Sequence, residues 1–114
     1  MSDNILKLKP EGIWKEFNGI LGVPRPSKKE AKMVAYLEKW AKDHNVNYIK
    51  EECGNIILSV PATEGMENRQ TVILQAHMDM VCEKNSDKKH DFENDPIEPV
   101  KAKIGRAVQQ ECRD

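Results

Sequence analysis

The feature that most constrains the fold is a change of hydrophobic period between His44 and Val46. Before it, apolar residues recur with the spacing of a helix; after it, they alternate or run together as in strands. In PEGIWKEFNGILG, Ile13, Phe17, Ile20 and Leu21 fall at offsets of four, seven and eight, which is one face of a helix opening at Pro10. Gly22 with Pro24 and Pro26 stops it, so the expected span is 10–21. Ser27 followed by Glu30 has the S-x-x-E form of a capping box, in which each residue satisfies a free backbone N–H of the other. Met33, Leu37, Trp40, Ala41 and His44 continue at helical spacing and predict a second helix over 27–44.

Past that point Val46, Tyr48 and Lys50 alternate with polar residues as in a half-exposed strand, and Cys53-Gly54-Asn55 signals a turn. NIILSV at 55–60 predicts a second strand. PATEGMENR at 61–69 is a polar connection, and TVILQ at 71–75 predicts a third strand whose consecutive apolar residues call for burial on both faces. Two helices then three strands describe an α/β class, the start of a layered sheet. The sheet is expected to be incomplete, with apolar edge surface left open to self-association. A chain of 114 residues has the length of one modest domain and can bury roughly two-thirds of its unfolded surface.

Charged residues make up 32% of the chain, but the formal charge is only -1, which favours neither nucleic acid nor an anionic membrane as partner. No run reaches the ~18 apolar residues of a membrane span, and MSDNILKLKPEG lacks the apolar segment of a secretory signal, so the expected location is cytoplasmic. Cys53, Cys82 and Cys112 are odd in number and far apart, which suits free thiols better than disulfides or a thiolate zinc site.

The third strand drives directly into AHMDM. On a strand, His77 and Asp79 project to one side and Ala76, Met78 and Met80 to the other, at the strand end where open α/β sheets bind ligands. Imidazole is a common zinc ligand, and a carboxylate often fixes its tautomer. Alone, H-x-D is more often a structural histidine at a strand end. Other polar residues read more plainly: His90, Asp91 and Asp95 as a solvated loop, His44 as a helix C-terminal residue, and Trp14 and Trp40 as packing residues. Lys28, Lys29 and Lys32 read as a solvated helix face, and Cys82 as a bystander thiol.

The surrounding text changes the weight of H-x-D. PRPSKKE at 24–30, CGN at 53–55, PATEGMENR at 61–69, LQAHMDMV at 74–81 and HDFENDPIEP at 90–99 occur in this order and together closely resemble the N-terminal part of the bacterial aminoacyl-histidine dipeptidases, also called cytosolic non-specific dipeptidases or peptidase D. The resemblance covers residues 1–99, and residues 100–114 form a non-matching tail. It implies a layered α/β metallopeptidase catalytic domain holding two divalent ions, usually zinc, with cobalt or manganese as alternatives, and dipeptides of the Xaa-His type as substrate. By resemblance, His77 ligates one metal, and Asp79 belongs to the catalytic set as the residue that orients it. The bridging aspartate, the glutamate pair and the later ligands of the family have no counterpart in this text, so the expected object is a truncated or frameshifted N-terminal fragment without activity of its own. Its alternative is a non-catalytic molecule with structural or binding behaviour only. A different metallohydrolase, a deacetylase or phosphoesterase, would require the flanking motifs to be coincidence.

Overall fold

A computed structural model describes residues 3–101. Its elements in chain order are helices α1 (Asp3–Leu6), α2 (Glu11–Leu21) and α3 (Ala31–Asp43), then strands β1 (Asn47–Lys50) and β2 (Ile56–Ser59). The α/β class holds, with an incomplete sheet of two antiparallel strands. The non-matching tail expected at 100–114 falls, from residue 102 onward, outside the described residues.

Helix α2 begins after Pro10, whose extended backbone (φ -75°, ψ 133°) serves as its N-cap. Its C-terminal carbonyls find partners outside the helix. The Arg25 guanidinium donates to Ile20 O at 2.7 Å and to Val23 O at 3.2 Å, and the Ile97 N–H donates to Leu21 O at 3.0 Å. The bonds to Ile20 O and Leu21 O satisfy groups that every helix end leaves open, and the second anchors the chain near Ile97 to this end of α2. The face read from the sequence is covered only at its C-terminal end, since Leu21 is buried while Ile13 and Phe17 are exposed. The short α1 has no counterpart in the periodic pattern, because four residues are too few to display one; its Ile5 is buried where α1 meets α2.

Helix α3 starts four residues later than its capping-box signal predicts. Ser27 does not cap it: a turn closed by the Lys29 N–H to Pro26 O at 2.9 Å, with Lys28 at φ 70°, intervenes. Glu30 stands at the N-cap without a side-chain cap bond, and its carboxylate accepts from the Lys28 N–H at 2.7 Å. At the other end, His44 Nδ1 contacts Trp40 O at 2.8 Å and the ring stacks on the Trp40 indole, so His44 closes the helix as its position suggested. Met33, Val34 and Ala41 bury the inner face of α3. Trp40 Nε1 donates to Glu16 Oε2 at 2.8 Å, linking α3 to α2.

The hairpin register pairs Asn47 with Ser59, Tyr48 with Leu58, Ile49 with Ile57 and Lys50 with Ile56. Its turn carries Gly54 at φ 96°, a conformation that costs glycine little. Directly opposed residues share a face. The face holding Tyr48 and Lys50 meets α3, where the Tyr48 hydroxyl donates to Glu38 Oε1 at 2.9 Å and Lys50 Nζ lies 3.6 Å from Glu38 Oε2. The opposite face, with Ile49 and Ile57, is exposed.

The third strand expected at 71–75 does not form. Val72, Ile73 and Leu74 are 79%, 86% and 92% exposed, the reverse of burial on both faces. A strand needs a neighbour to pair with, and among the described residues none hydrogen-bonds to this segment. The apolar run therefore remains in solvent.

Candidate functional site

Although 71–75 stays unpaired, the chain just beyond it is held. The Met80 N–H donates to Arg25 O at 2.9 Å and the Ser27 N–H donates to Met80 O at 3.2 Å, forming a single parallel bridge between Pro26 and Met80. Pro26 is buried under this contact. The bridge sets Asp79 beside the turn that precedes α3, joining residues 52 positions apart in sequence.

Both carboxylate oxygens of Asp79 are engaged. Ser27 Oγ donates to Oδ2 at 2.6 Å, and His77 Nδ1 lies 2.9 Å from Oδ1 and 3.0 Å from the Asp79 carbonyl oxygen. Every neighbour of Nδ1 here is an acceptor, so Nδ1 carries a proton, and in the neutral ring the lone pair is on Nε2. The Asp79 carboxyl is held below its ordinary value, first by the Ser27 hydroxyl and then by the His77 ring. The His77 side chain is 84% exposed and that of Asp79 34%, so the imidazole stands out from the surface on a partly covered carboxylate.

A carboxylate that fixes one ring nitrogen in this way is a feature that metal-ligating histidines commonly show, and it leaves the other nitrogen available to a ligand. Among the described residues, no group of three or more His, Cys, Asp or Glu side chains could hold a metal ion. The described residues therefore bring together one imidazole and one carboxylate here and no larger set of such groups.

The pairing of His77 with Asp79 was readable from their spacing; the third member, Ser27, was not, because the S-x-x-E pattern assigned its hydroxyl to α3. The lysines also differ from a solvated helix face. Lys29 pairs with Glu93, and Lys32 Nζ donates to Glu93 O at 2.6 Å, fastening the later loop to the start of α3. In that loop the Asp91 and Asp95 carboxylates close turns. Asp91 Oδ1 accepts from the Glu93 N–H at 2.9 Å, Asp91 Oδ2 accepts from Asn94 Nδ2 at 2.7 Å, and Asp95 Oδ2 accepts from the Asp91 N–H at 2.8 Å. His90 packs against the Phe92 ring edge, and Cys82 lines a cleft of about 370 Å³ between this loop and Ser27. Cys53 and Cys82 are free and exposed; Cys112 lies outside the described residues. No helix among the described residues is long and apolar enough to cross a membrane.

No protein-family model matches the sequence. Over 93 residues it is 45% identical to the cytosol non-specific dipeptidase of Escherichia coli (strain K12), a stretch covering 82% of this chain and 19% of that protein. The crystal structure of aminoacylhistidine dipeptidase from Vibrio alginolyticus superposes with a TM-score of 0.82 at 41% identity, covering 90% of this chain and 21% of that one. Over most of its own length this chain is similar to these two dipeptidases. It spans about a fifth of the length of the dipeptidases it matches. At this identity the likeness extends past fold to sequence.

Proposed function

We propose that this chain is the part of a metal-dependent dipeptidase catalytic domain that supplies one metal ligand, His77, and the carboxylate that orients it, Asp79. The observation that carries the reading is the 2.9 Å contact between His77 Nδ1 and Asp79 Oδ1, which leaves Nε2 free. Similarity to proteins named as dipeptidases supports the reaction class, and the name of one of them supports an Xaa-His dipeptide as substrate. The cofactor is a pair of divalent ions, zinc first and cobalt or manganese as alternatives, and the setting is the cytoplasm.

A bound metal pair, one ion of which His77 Nε2 would hold, would polarise the scissile carbonyl and provide a hydroxide near neutral pH. This chain's contribution is to hold a proton on His77 Nδ1 and to present Nε2 in a fixed direction. A general base within about 3 Å of the attacking water and an oxyanion donor are further requirements. No group among the described residues is assigned either role, and the reading carries with it that the chain by itself does not turn over dipeptides. A second reading, structural or binding behaviour without catalysis, is favoured by the exposed apolar run Val72–Leu74, and both readings hold together for these residues.

The test is incubation of the chain with an Xaa-His dipeptide and zinc, cobalt or manganese, with free histidine followed by chromatography. Release at the buffer rate is expected. Metal-dependent release that vanishes in both His77→Ala and Asp79→Ala would refute the assignment of a single ligand position and would require the missing groups to come from another copy.

A further inference from the structure

We infer that Ser27 is a positioning residue for this site: its hydroxyl holds the Asp79 carboxylate in the orientation that keeps the His77 proton on Nδ1. The inference rests on the proposed role of His77 and Asp79 and extends it to a residue on a different segment of the chain.

Three observations converge on Ser27. Its Oγ donates to Asp79 Oδ2 at 2.6 Å, a short bond of the kind a hydroxyl makes to an ionised carboxylate. Its own N–H donates to Met80 O at 3.2 Å while the Met80 N–H returns to Arg25 O at 2.9 Å, so the backbone on both sides of the contact is fixed before the side chains meet. The turn itself, with Lys28 at φ 70° and the Lys29 N–H on Pro26 O, delays α3 to Ala31 and thereby frees the Ser27 hydroxyl from helix capping. A serine at a helix start normally spends its oxygen on the N2 or N3 amide. Here that role is given up and the hydroxyl points to Asp79 instead.

The consequence for His77 is geometric. A carboxylate with one oxygen bound only to water rotates about its Cβ–Cγ bond and can meet the imidazole through either oxygen or neither. With Oδ2 tied to Ser27, Oδ1 is left facing Nδ1, and the ring is constrained although it is 84% exposed. Nothing else among the described residues donates a side-chain hydrogen bond to Oδ2.

The experiment reads the tautomer directly, by long-range ¹H–¹⁵N correlation of the three imidazoles in the 114-residue chain at about pH 8, where histidine is neutral. In the wild-type chain His77 is expected in the Nδ1–H form. Ser27→Ala should lower the ratio of Nδ1–H to Nε2–H at His77 by roughly twofold to tenfold, the span of one ordinary hydrogen bond. His44, held by Trp40 O, serves as the internal reference and should not move. Ser27→Thr keeps the hydroxyl and should restore the ratio, a rescue that a purely steric role would not give. Should the alanine variant melt, Ser27→Cys retains the size with a weak donor and reads the same point.

Asp79→Ala separates Asp79 from Ser27. If it leaves the His77 tautomer unchanged, the Asp79 side chain does not set the ring, and the proposed function fails at its base. If Asp79→Ala shifts the tautomer while Ser27→Ala and Ser27→Cys do not, the inference about Ser27 is overturned and the role of Asp79 stands.

Discussion

Replacing Gly19 by alanine probes whether α2 and α3 pack as described, and hence whether the turn between them has a firm base. Gly19 lies in the interior of α2, where alanine is favoured over glycine by about 0.8–1 kcal/mol on helix propensity alone. Against this, a methyl group built there would overlap the Tyr36 hydroxyl oxygen and stand 3.4 Å from Tyr36 Cζ. Tyr36 is half-buried against α2, and its phenol is pushed up mainly by burial with a smaller contribution from Glu16. Moving it aside is an overpacking event, which typically costs about 1–3 kcal/mol. The clash term exceeds the propensity term, so Gly19→Ala should destabilise the chain by roughly 0–2 kcal/mol. Gly12→Ala is the control on the same helix, because a methyl there meets nothing within 4 Å. It should be neutral to stabilising by up to about 1 kcal/mol. Tyr36→Phe removes the overlapping oxygen, so in that background Gly19→Ala should regain most of its loss. Urea titration followed by far-UV circular dichroism measures all four variants. Gly19→Ala stabilising as much as Gly12→Ala would refute the packing of Tyr36 across α2.

Glu38 ties α3 to the hairpin, and its carboxyl is held below the ordinary 4.5 by the Tyr48 hydroxyl first, then by Lys50 and Lys42. A depressed folded-state value means this stabilisation is complete above the ordinary value and lost as pH falls through the folded one, so thermal midpoints of wild type and Glu38→Gln should converge below pH 4.5. A gap that persists unchanged at pH 3 would contradict the link. Exposed Val72, Ile73 and Leu74, together with Ile49 and Ile57 on the outer hairpin face, predict self-association and dye binding. Size-exclusion and ANS fluorescence should both report it, and Ile73→Lys should reduce both; a clean monomer without dye binding would count against it.

How far the sequence could be read varied with the range of the interaction involved. The helical offsets in 10–21 and 27–44 located α2 and α3 apart from the late start of α3, while the alternation after Val46 located β1 and the run NIILSV located β2, each to within about a residue at each end. These patterns are local, set by which side chains share a face. Ser27 shows the limit: its capping signal is local and genuine, but Asp79, 52 residues away, competes for the same hydroxyl and wins. A reader of neighbours cannot see that competitor. The segment 71–75 shows a second limit. Consecutive apolar residues express a preference for burial, but burial requires a partner strand, and no pattern within TVILQ encodes whether one is present. Lys29 and Lys32 make the same point from the surface, since their partner Glu93 lies more than 60 positions away. His77 and Asp79 were legible because the whole of their interaction is contained within three residues.

We propose that these residues present one oriented metal ligand. This is tested most directly by titrating zinc into the ¹⁵N-labelled chain while following His44, His77 and His90, with Cys53, Cys82 and Cys112 changed to serine so that thiols do not compete. The account predicts that the His77 Nε2 resonance responds first, that binding is weak and in fast exchange because one imidazole lacks chelating partners, and that Asp79→Asn weakens it further. Tight one-to-one binding, or a His77 ring that responds no sooner than His44 and His90, would contradict it.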